Sequence, residues 1–283
     1  MRGTVSTHYD APDLIARIEA ALSEAGLSPE TVTADVLAPI EEFHVGGRMA
    51  TDALLRDLNI RPADRALDVG CGSGGTSRHA AAQFGCTVEG IDLTDSFIRA
   101  GRTLTDWLKL DGKVLLHCGS ALDMPFETAR FDLGWMFHVG MNIEDKQALF
   151  NEVFRVLKPG GRFLVYDIMR GEDETTPLAF PVPWAGSQAS SFVRPPQQYE
   201  EALRSAGFAV TKSEPRRDIA DAFFAQAAAQ AASQAASQAS QPRPPLTLAL
   251  IMGETARDKF ANLKRNYEAG RIVPVAISCE KPI

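Results

Sequence analysis

The stretch Leu67-Asp68-Val69-Gly70-Cys71-Gly72-Ser73-Gly74-Gly75 carries the densest chemical information in the chain. An apolar run enters glycines that allow positive φ and close approach of a ligand to the backbone. A helix starting after such a loop aims unpaired N–H groups at the same point. Gly70, Gly72 and Gly75 satisfy a GxGxxG spacing, and Asp92 closes the next apolar run, where an acid can grip a ribose. The pair predicts a pocket for an adenosine-bearing ligand. Asp68, two residues before Gly70, stands where a dinucleotide-binding strand places an apolar side chain. An acid there can order the loop and face a cationic ligand. Cys71, inside the loop, has no base implied nearby and reads as a small filler.

These residues need a scaffold that brings strand ends together. Strands are expected at 65–70, 87–92, 113–118, 131–137, 161–168, 208–213 and 273–279, with helices at 75–83, 95–108, 144–156, 196–206 and 254–268. Strand–helix alternation of this kind implies a parallel sheet with helices on both faces. Ahead of it, Leu14, Ile15, Ile18 and Leu22 recur at helical spacing, and Gly47 to Leu58 reads as a further helix. Residues 225–241 are low in complexity, with nine Ala, five Gln and three Ser. That composition suits a long exposed helix fraying toward Pro242-Arg243-Pro244-Pro245, or a linker.

Leu67 to Gly74 resembles the first motif of the class I S-adenosylmethionine-dependent methyltransferases. Arg155-Val156-Leu157-Lys158-Pro159-Gly160-Gly161-Arg162-Phe163 resembles their turn into the fifth strand, and Phe131-Asp132-Leu133 the start of their fourth. The resemblance covers about residues 60–170. It implies an α/β, Rossmann-like, seven-stranded and mostly parallel sheet with one antiparallel edge strand, helices on both faces and a helical cap. It implies S-adenosyl-L-methionine as cofactor, with Gly70, Cys71 and Gly72 at its methionine part beside Asp68. Asp92 would accept from the ribose hydroxyls and Leu93 would lie against the adenine. Ser120 and Ala121 stand where the family often has Asp before Ala. Phe137 and His138 would stand beside the methyl-donor sulfur, His138 as base or as packing over the cofactor. The methyl would move by in-line displacement, so the protein mainly supplies orientation.

Phe137 to Lys146, Phe180 to Ala185 and Glu42 to Gly47 look like the branch acting on small molecules, similar to sarcosine/dimethylglycine and phosphoethanolamine N-methyltransferases and, more distantly, to sterol and tocopherol C-methyltransferases. The expected acceptor is a small amine, with O- or C-methylation as the alternative. Trp184, Phe43 and Tyr9 are the candidate acceptor contacts, since aromatic faces attract methylated amines. Residues 1–59 are expected to form a helical N-terminal cap. The cofactor-binding domain would take 60–283, with cap insertions at about 171–195 and 219–270. A nicotinamide-dependent oxidoreductase and a non-catalytic cofactor binder are the competing readings.

Composition narrows the partners. The 283 residues carry 29 Lys+Arg against 36 Asp+Glu, a net charge of −7, which disfavours a nucleic-acid partner. No apolar run approaches membrane-spanning length, and Met1 to Ser6 lacks the apolar core of a secretory signal. The four cysteines form no CxxC pair and the five histidines are scattered, so no metal is expected. A cytoplasmic protein working on a small molecule, with room for a homodimer, is the expectation.

Overall fold

The computed structural model describes residue 11, residues 13–236 and residues 246–283. Tyr9 and the segment 237–245, including the proline cluster, lie outside the described residues.

Helices α1 (Leu14–Glu24), α2 (Ala34–Glu41) and α3 (Gly47–Asp57) precede strand β1 (Arg65–Val69). Helix α4 (Gly75–Phe84), β2 (Thr87–Asp92), α5 (Asp95–Trp107), β3 (Val114–Cys118), β4 (Phe131–Phe137), α6 (Lys146–Val156) and β5 (Leu157–Arg170) follow in alternation. The chain continues through α7 (Pro196–Ser205), β6 (Ala209–Pro215), α8 (Arg217–Ala236), α9 (Ala249–Met252), α10 (Ala256–Glu268) and β7 (Ile272–Glu280). The seven strands form one sheet in the order β3-β2-β1-β4-β5-β7-β6. All neighbouring pairs from β3 to β5 are parallel, and β7 runs antiparallel to both β5 and β6. The expected antiparallel strand is therefore β7. It lies one place in from the edge, and the less buried β6 is outermost.

Strand β1 is buried from Ala66 to Val69, as expected of a central parallel strand covered on both faces. Its neighbours are β2 and β4, with Val69 level with Ile91 on one side and Met136 on the other. The chain order reverses at β1, so a crevice opens beyond its carboxyl end between the loops of β1 and β4. Val69 and Met136 therefore bring Gly70 and His138 to the same edge of the sheet. One apolar core fills each side of the sheet. Leu149, Phe150 and Val153 of α6 meet Phe163 and Val165 on one face. Leu54 and Leu55 of α3, with Ala80 of α4, meet Trp135 and Tyr166 on the other.

Two further apolar clusters lie outside these two. Leu14, Ile18 and Leu22 follow the i, i+4 stripe of α1 and pack with Leu37 and Ile40 against Phe97 and Leu104 of α5. Val45, Met141, Ile168, Val182 and Trp184 pack with Leu263 and Tyr267 of α10. The low-complexity run is helical through Ala236, and Phe223 and Phe224 at its start pack against this second cluster. No helix among the described residues is long and apolar enough to cross a membrane.

Candidate functional site

The glycine loop is tied to its neighbours by backbone contacts. The N–H groups of Gly70 and Cys71 donate to the Ile91 carbonyl at 2.8 and 3.1 Å. Gly70 has φ +71°, and a Cβ there would overlap Val139 from the loop after β4. Gly72 also has positive φ (+55°) but faces open space. The Cys71 Sγ packs against Gly90, and burial pushes its thiol pKa well up, which disfavours the thiolate.

Two carboxylates frame the loop. Asp92 Oδ2 accepts from Gly72 N–H at 2.9 Å, and Oδ1 accepts from Thr94 N–H at 2.8 Å. Burial raises its pKa against these hydrogen bonds. Asp68 is 3 % exposed, and its Oδ2 accepts from the Ser77 hydroxyl at 2.6 Å. Burial pushes it up to about 7, opposed by the Ser77 hydrogen bond.

A cleft of about 740 Å³ opens above the loop. Its walls include Asp68, Gly70, Cys71, Gly72, Phe137 and His138, and also Phe43 and His44 from the cap. Asp92, Leu93, Ser120 and Ala121 do not form its walls; Asp92 reaches the loop through the Gly72 N–H. The other three lie past Asp92, where the Ser120 hydroxyl accepts from Leu122 N–H at 3.2 Å and shapes the turn after β3. A second space of about 440 Å³ adjoins the cleft. Phe43, His44 and His138 line both. The rest of the second wall is apolar: Met141, Ile168 and Trp184, roofed by Phe223, Leu248, Phe260 and Leu263. The Trp184 indole donates to Ser191 Oγ at 2.9 Å, which fixes the ring. Trp184 and Phe43 both line this second space. Tyr199 is buried, and its hydroxyl donates to Asp167 at 2.8 Å.

The junction holds two imidazoles. The rings of His44 and His138 are 5.9 Å apart. His138 has φ +55°, its N–H donates to the Tyr166 carbonyl at 2.7 Å, and its Nε2 is buried without a hydrogen-bond partner among the described residues. Burial pushes its pKa well down, and His44 adds to the effect. A positive φ at a non-glycine residue costs about 1–3 kcal/mol, so the surroundings hold it in place.

The residues fit S-adenosylmethionine. Among the described residues the cleft's acidic wall side chains are Glu41, which is paired with Arg78, and Asp68, which can face a cationic ligand. The loop presents backbone, and Asp92 stands beside it.

Sequence reasoning missed His44, Glu41 and the roof of the second space. Glu42-Phe43-His44 was legible as a motif, but its place in the fold was not. The roof residues fall within the cap insertion expected at about 219–270, but no pattern in the sequence singled them out.

Comparison with known proteins bears on the family and the fold. Residues 67–165 match the methyltransferase domain family. A demethylmenaquinone methyltransferase of Symbiobacterium thermophilum is 31% identical over 184 residues, 54% of this chain and 71% of that protein. A 24-methylenesterol C-methyltransferase of Oryza sativa subsp. japonica is 38% identical over 110 residues, 39% of this chain and 30% of that one. The chain thus spans about a third of the length of the first curated relatives it matches. The crystal structure of the [4+2]-cyclase SpnF superposes with a TM-score of 0.69 at 21% identity, covering 100% of this chain and 97% of that one. The chain belongs to the class I S-adenosylmethionine-dependent methyltransferases.

Proposed function

We propose that the protein transfers a methyl group from S-adenosylmethionine to a small, largely apolar acceptor that lies under Trp184 and meets the cofactor at His138. The observation that carries this reading is the junction: a polar, acid-lined cleft and an apolar chamber share Phe43, His44 and His138.

The sulfonium of the bound cofactor supplies an already activated methyl group. The protein's work is to hold and orient, which can contribute about 7–11 kcal/mol. Gly70, Cys71 and Gly72 would hold the methionine part through backbone, with Asp68 facing its positive charge. Asp92 would take the ribose hydroxyls. Leu93, Ser120 and Ala121 would lie toward the adenine, and Phe137 beside the reacting centre. The unpartnered Nε2 of His138 would bind the acceptor's hydroxyl or amine and aim its lone pair along the transfer line.

Among the described residues, the side chains lining the chamber include no Lys, Arg, Asp or Glu. A charged carboxylate or phosphate of the acceptor would lose water there without a partner. This favours an uncharged phenol or alcohol over a zwitterionic amino acid. N-methylation of an apolar amine keeps support from the faces of Phe43, Trp184, Phe223 and Phe260, each worth about 0.5–2 kcal/mol to a cation.

Calorimetric titration with S-adenosylhomocysteine and with NAD, followed by a labelled-methyl screen of phenols, apolar alcohols, apolar amines, sarcosine and dimethylglycine, tests the proposal. Binding of the first ligand and labelled product from an apolar acceptor are expected. Binding of NAD alone, or cofactor binding with no product from any acceptor, would overturn it.

A further inference from the structure

The two imidazoles at the junction have different surroundings. The charged form of His138 would face a second histidine and no carboxylate. His44 lies on the segment between α2 and α3, whose Val45 carbonyl accepts from the Tyr166 hydroxyl at 3.0 Å. Its Nε2 is 3.0 Å from Thr51 Oγ1 and 3.2 Å from the Gly47 carbonyl. The single Thr51 hydroxyl proton is donated to Glu42 Oε2 at 2.5 Å, so that oxygen can only accept from His44. The Gly47 carbonyl also only accepts. Both contacts place the His44 proton on Nε2. Nδ1 is left with the lone pair and makes no hydrogen bond among the described residues. Glu42 Oε2 is 3.6 Å from the His44 Nε2, and Arg48 Nε is 2.9 Å from Glu42 Oε1. Glu42, His44 and Thr51 are all buried.

We infer that His44, carried by the cap, is the proton acceptor of the methyl transfer, that Glu42 and Thr51 are positioning residues that fix its tautomer, and that His138 orients the acceptor. The inference rests on the methyl-transfer reading of the two joined spaces. In the step, Nδ1 takes the acceptor's proton while the acceptor's freed electron pair forms the bond to the methyl carbon. The pair of the breaking carbon–sulfur bond stays on sulfur. The imidazolium that forms lies against the Glu42 carboxylate, an arrangement in which a third group orients and stabilises the base. The groups facing His44 are Glu42 before it, Arg48 and Thr51 of α3, His138 after β4 and Tyr166 of β5. Burial lowers its pKa, Glu42 opposes that and Arg48 adds to it.

The test uses protein labelled with ¹⁵N-histidine and long-range ¹H–¹⁵N correlation spectra from about pH 5 to pH 9, with His44→Asn and His138→Asn for assignment. The neutral His44 is expected as the Nε2–H tautomer. Glu42→Gln is expected to lower its titration point, and Thr51→Val to populate the other tautomer. An Nδ1–H tautomer in the unmodified protein, or an unmoved titration point in folded Glu42→Gln, overturns the inference. Should Glu42→Gln fail to fold, the tautomer of the unmodified protein decides. These spectra need no acceptor, and failure of the methyl-transfer reading would show separately as absent S-adenosylhomocysteine binding.

Discussion

The guanidinium of Arg78 on α4 donates to the carboxylate of Glu41 at the end of α2, and both side chains are only 2 % exposed. Arg78 Nη1 also reaches the Gly101 carbonyl at 3.0 Å and Thr105 Oγ1 at 2.9 Å on α5. One buried cation therefore joins the cap, the helix that follows the glycine loop and the next helix. Glu41 and Ile40 form part of the cofactor cleft wall, so the same pair sets the wall's position.

Removing one partner strands the other charge in the interior, at a cost of roughly 3–5 kcal/mol. Arg78→Met and Glu41→Leu should each lower stability by that order in urea unfolding. The double variant should recover most of the loss, because an apolar pair of similar volume replaces the ion pair. A double variant as unstable as the sum of the singles would show that the pair is not coupled.

The strand-borne half of the site was legible because it is local. The run from Leu67 to Gly75 contains its own strand, turn and helix start, and Asp92 ends the next strand. Lys158-Pro159-Gly160-Gly161 likewise marked the entry to β5. The Glu41–Arg78 pair joins residues 37 apart, and the Trp184 chamber joins Phe43 to Leu263. No local pattern encodes such encounters. The alanine-rich run was legible as helix from propensity, but its function as a roof depends on two phenylalanines at its start. The position of β7 was missed at the edge because the last strand of the chain inserts between two earlier ones.

Asp68 links pH to both stability and ligand binding. Its carboxyl titrates at about 7 in the fold, above the ordinary value of 3.8. Between those limits the folded state keeps a proton that the unfolded chain has released. Stability from this group therefore falls as pH rises from about 4 to about 7. Asp68→Asn should melt higher than the unmodified protein at about pH 8 and show no such gain near pH 4. A bound cation should pull the Asp68 pKa back down, so cofactor binding near pH 6 should expel protons. Calorimetry in two buffers of different ionisation enthalpy reads this directly; equal heats at pH 6 would remove Asp68 from cation binding.

Asp92 holds the loop before any ligand arrives. Asp92→Ala leaves the N–H groups of Gly72 and Thr94 without their acceptor, at about 1–3 kcal/mol each where they are shielded from water. Cofactor affinity should fall by roughly tenfold or more, from a loosened loop as well as from lost ribose contacts. Asp92→Asn should retain part of the loop order, since its amide oxygen still accepts. Titration with S-adenosylhomocysteine gives the two constants, and unchanged affinity in the alanine variant would refute the assignment.

Trp184 separates acceptor effects from cofactor effects, because it lines the chamber and not the cleft. Trp184→Ala should cost about 3–5 kcal/mol of stability and leave Ser191 without its indole donor. The variant should bind S-adenosylhomocysteine with unchanged affinity while its preference moves toward bulkier acceptors. Trp184→Phe should keep most of the stability. A changed cofactor affinity in folded Trp184→Phe would contradict the separation of the two spaces.

Gly140 tests how tightly the junction must be held. It sits two residues after His138 in the loop that also supplies Val139 and Met141 to the two spaces. A Cβ at Gly140 would overlap the Asp167 carboxylate and press on the Tyr199 hydroxyl, which donates to that carboxylate at 2.8 Å. From the other side, Lys146 Nζ donates to the Gly140 carbonyl at 2.8 Å and to the Phe192 carbonyl at 3.1 Å. The loop is thus clamped between a buried acid and a buried cation and cannot yield without moving His138. Gly140→Ala should lose about 1–3 kcal/mol of stability from overpacking. A displacement of about 1 Å at the reacting centre can cost on the order of a hundredfold in rate, so turnover should fall by more than the stability loss explains. Steady-state rates at a temperature where the variant is fully folded make the comparison. Unchanged turnover there would show that the position of the loop after β4 does not limit the reaction.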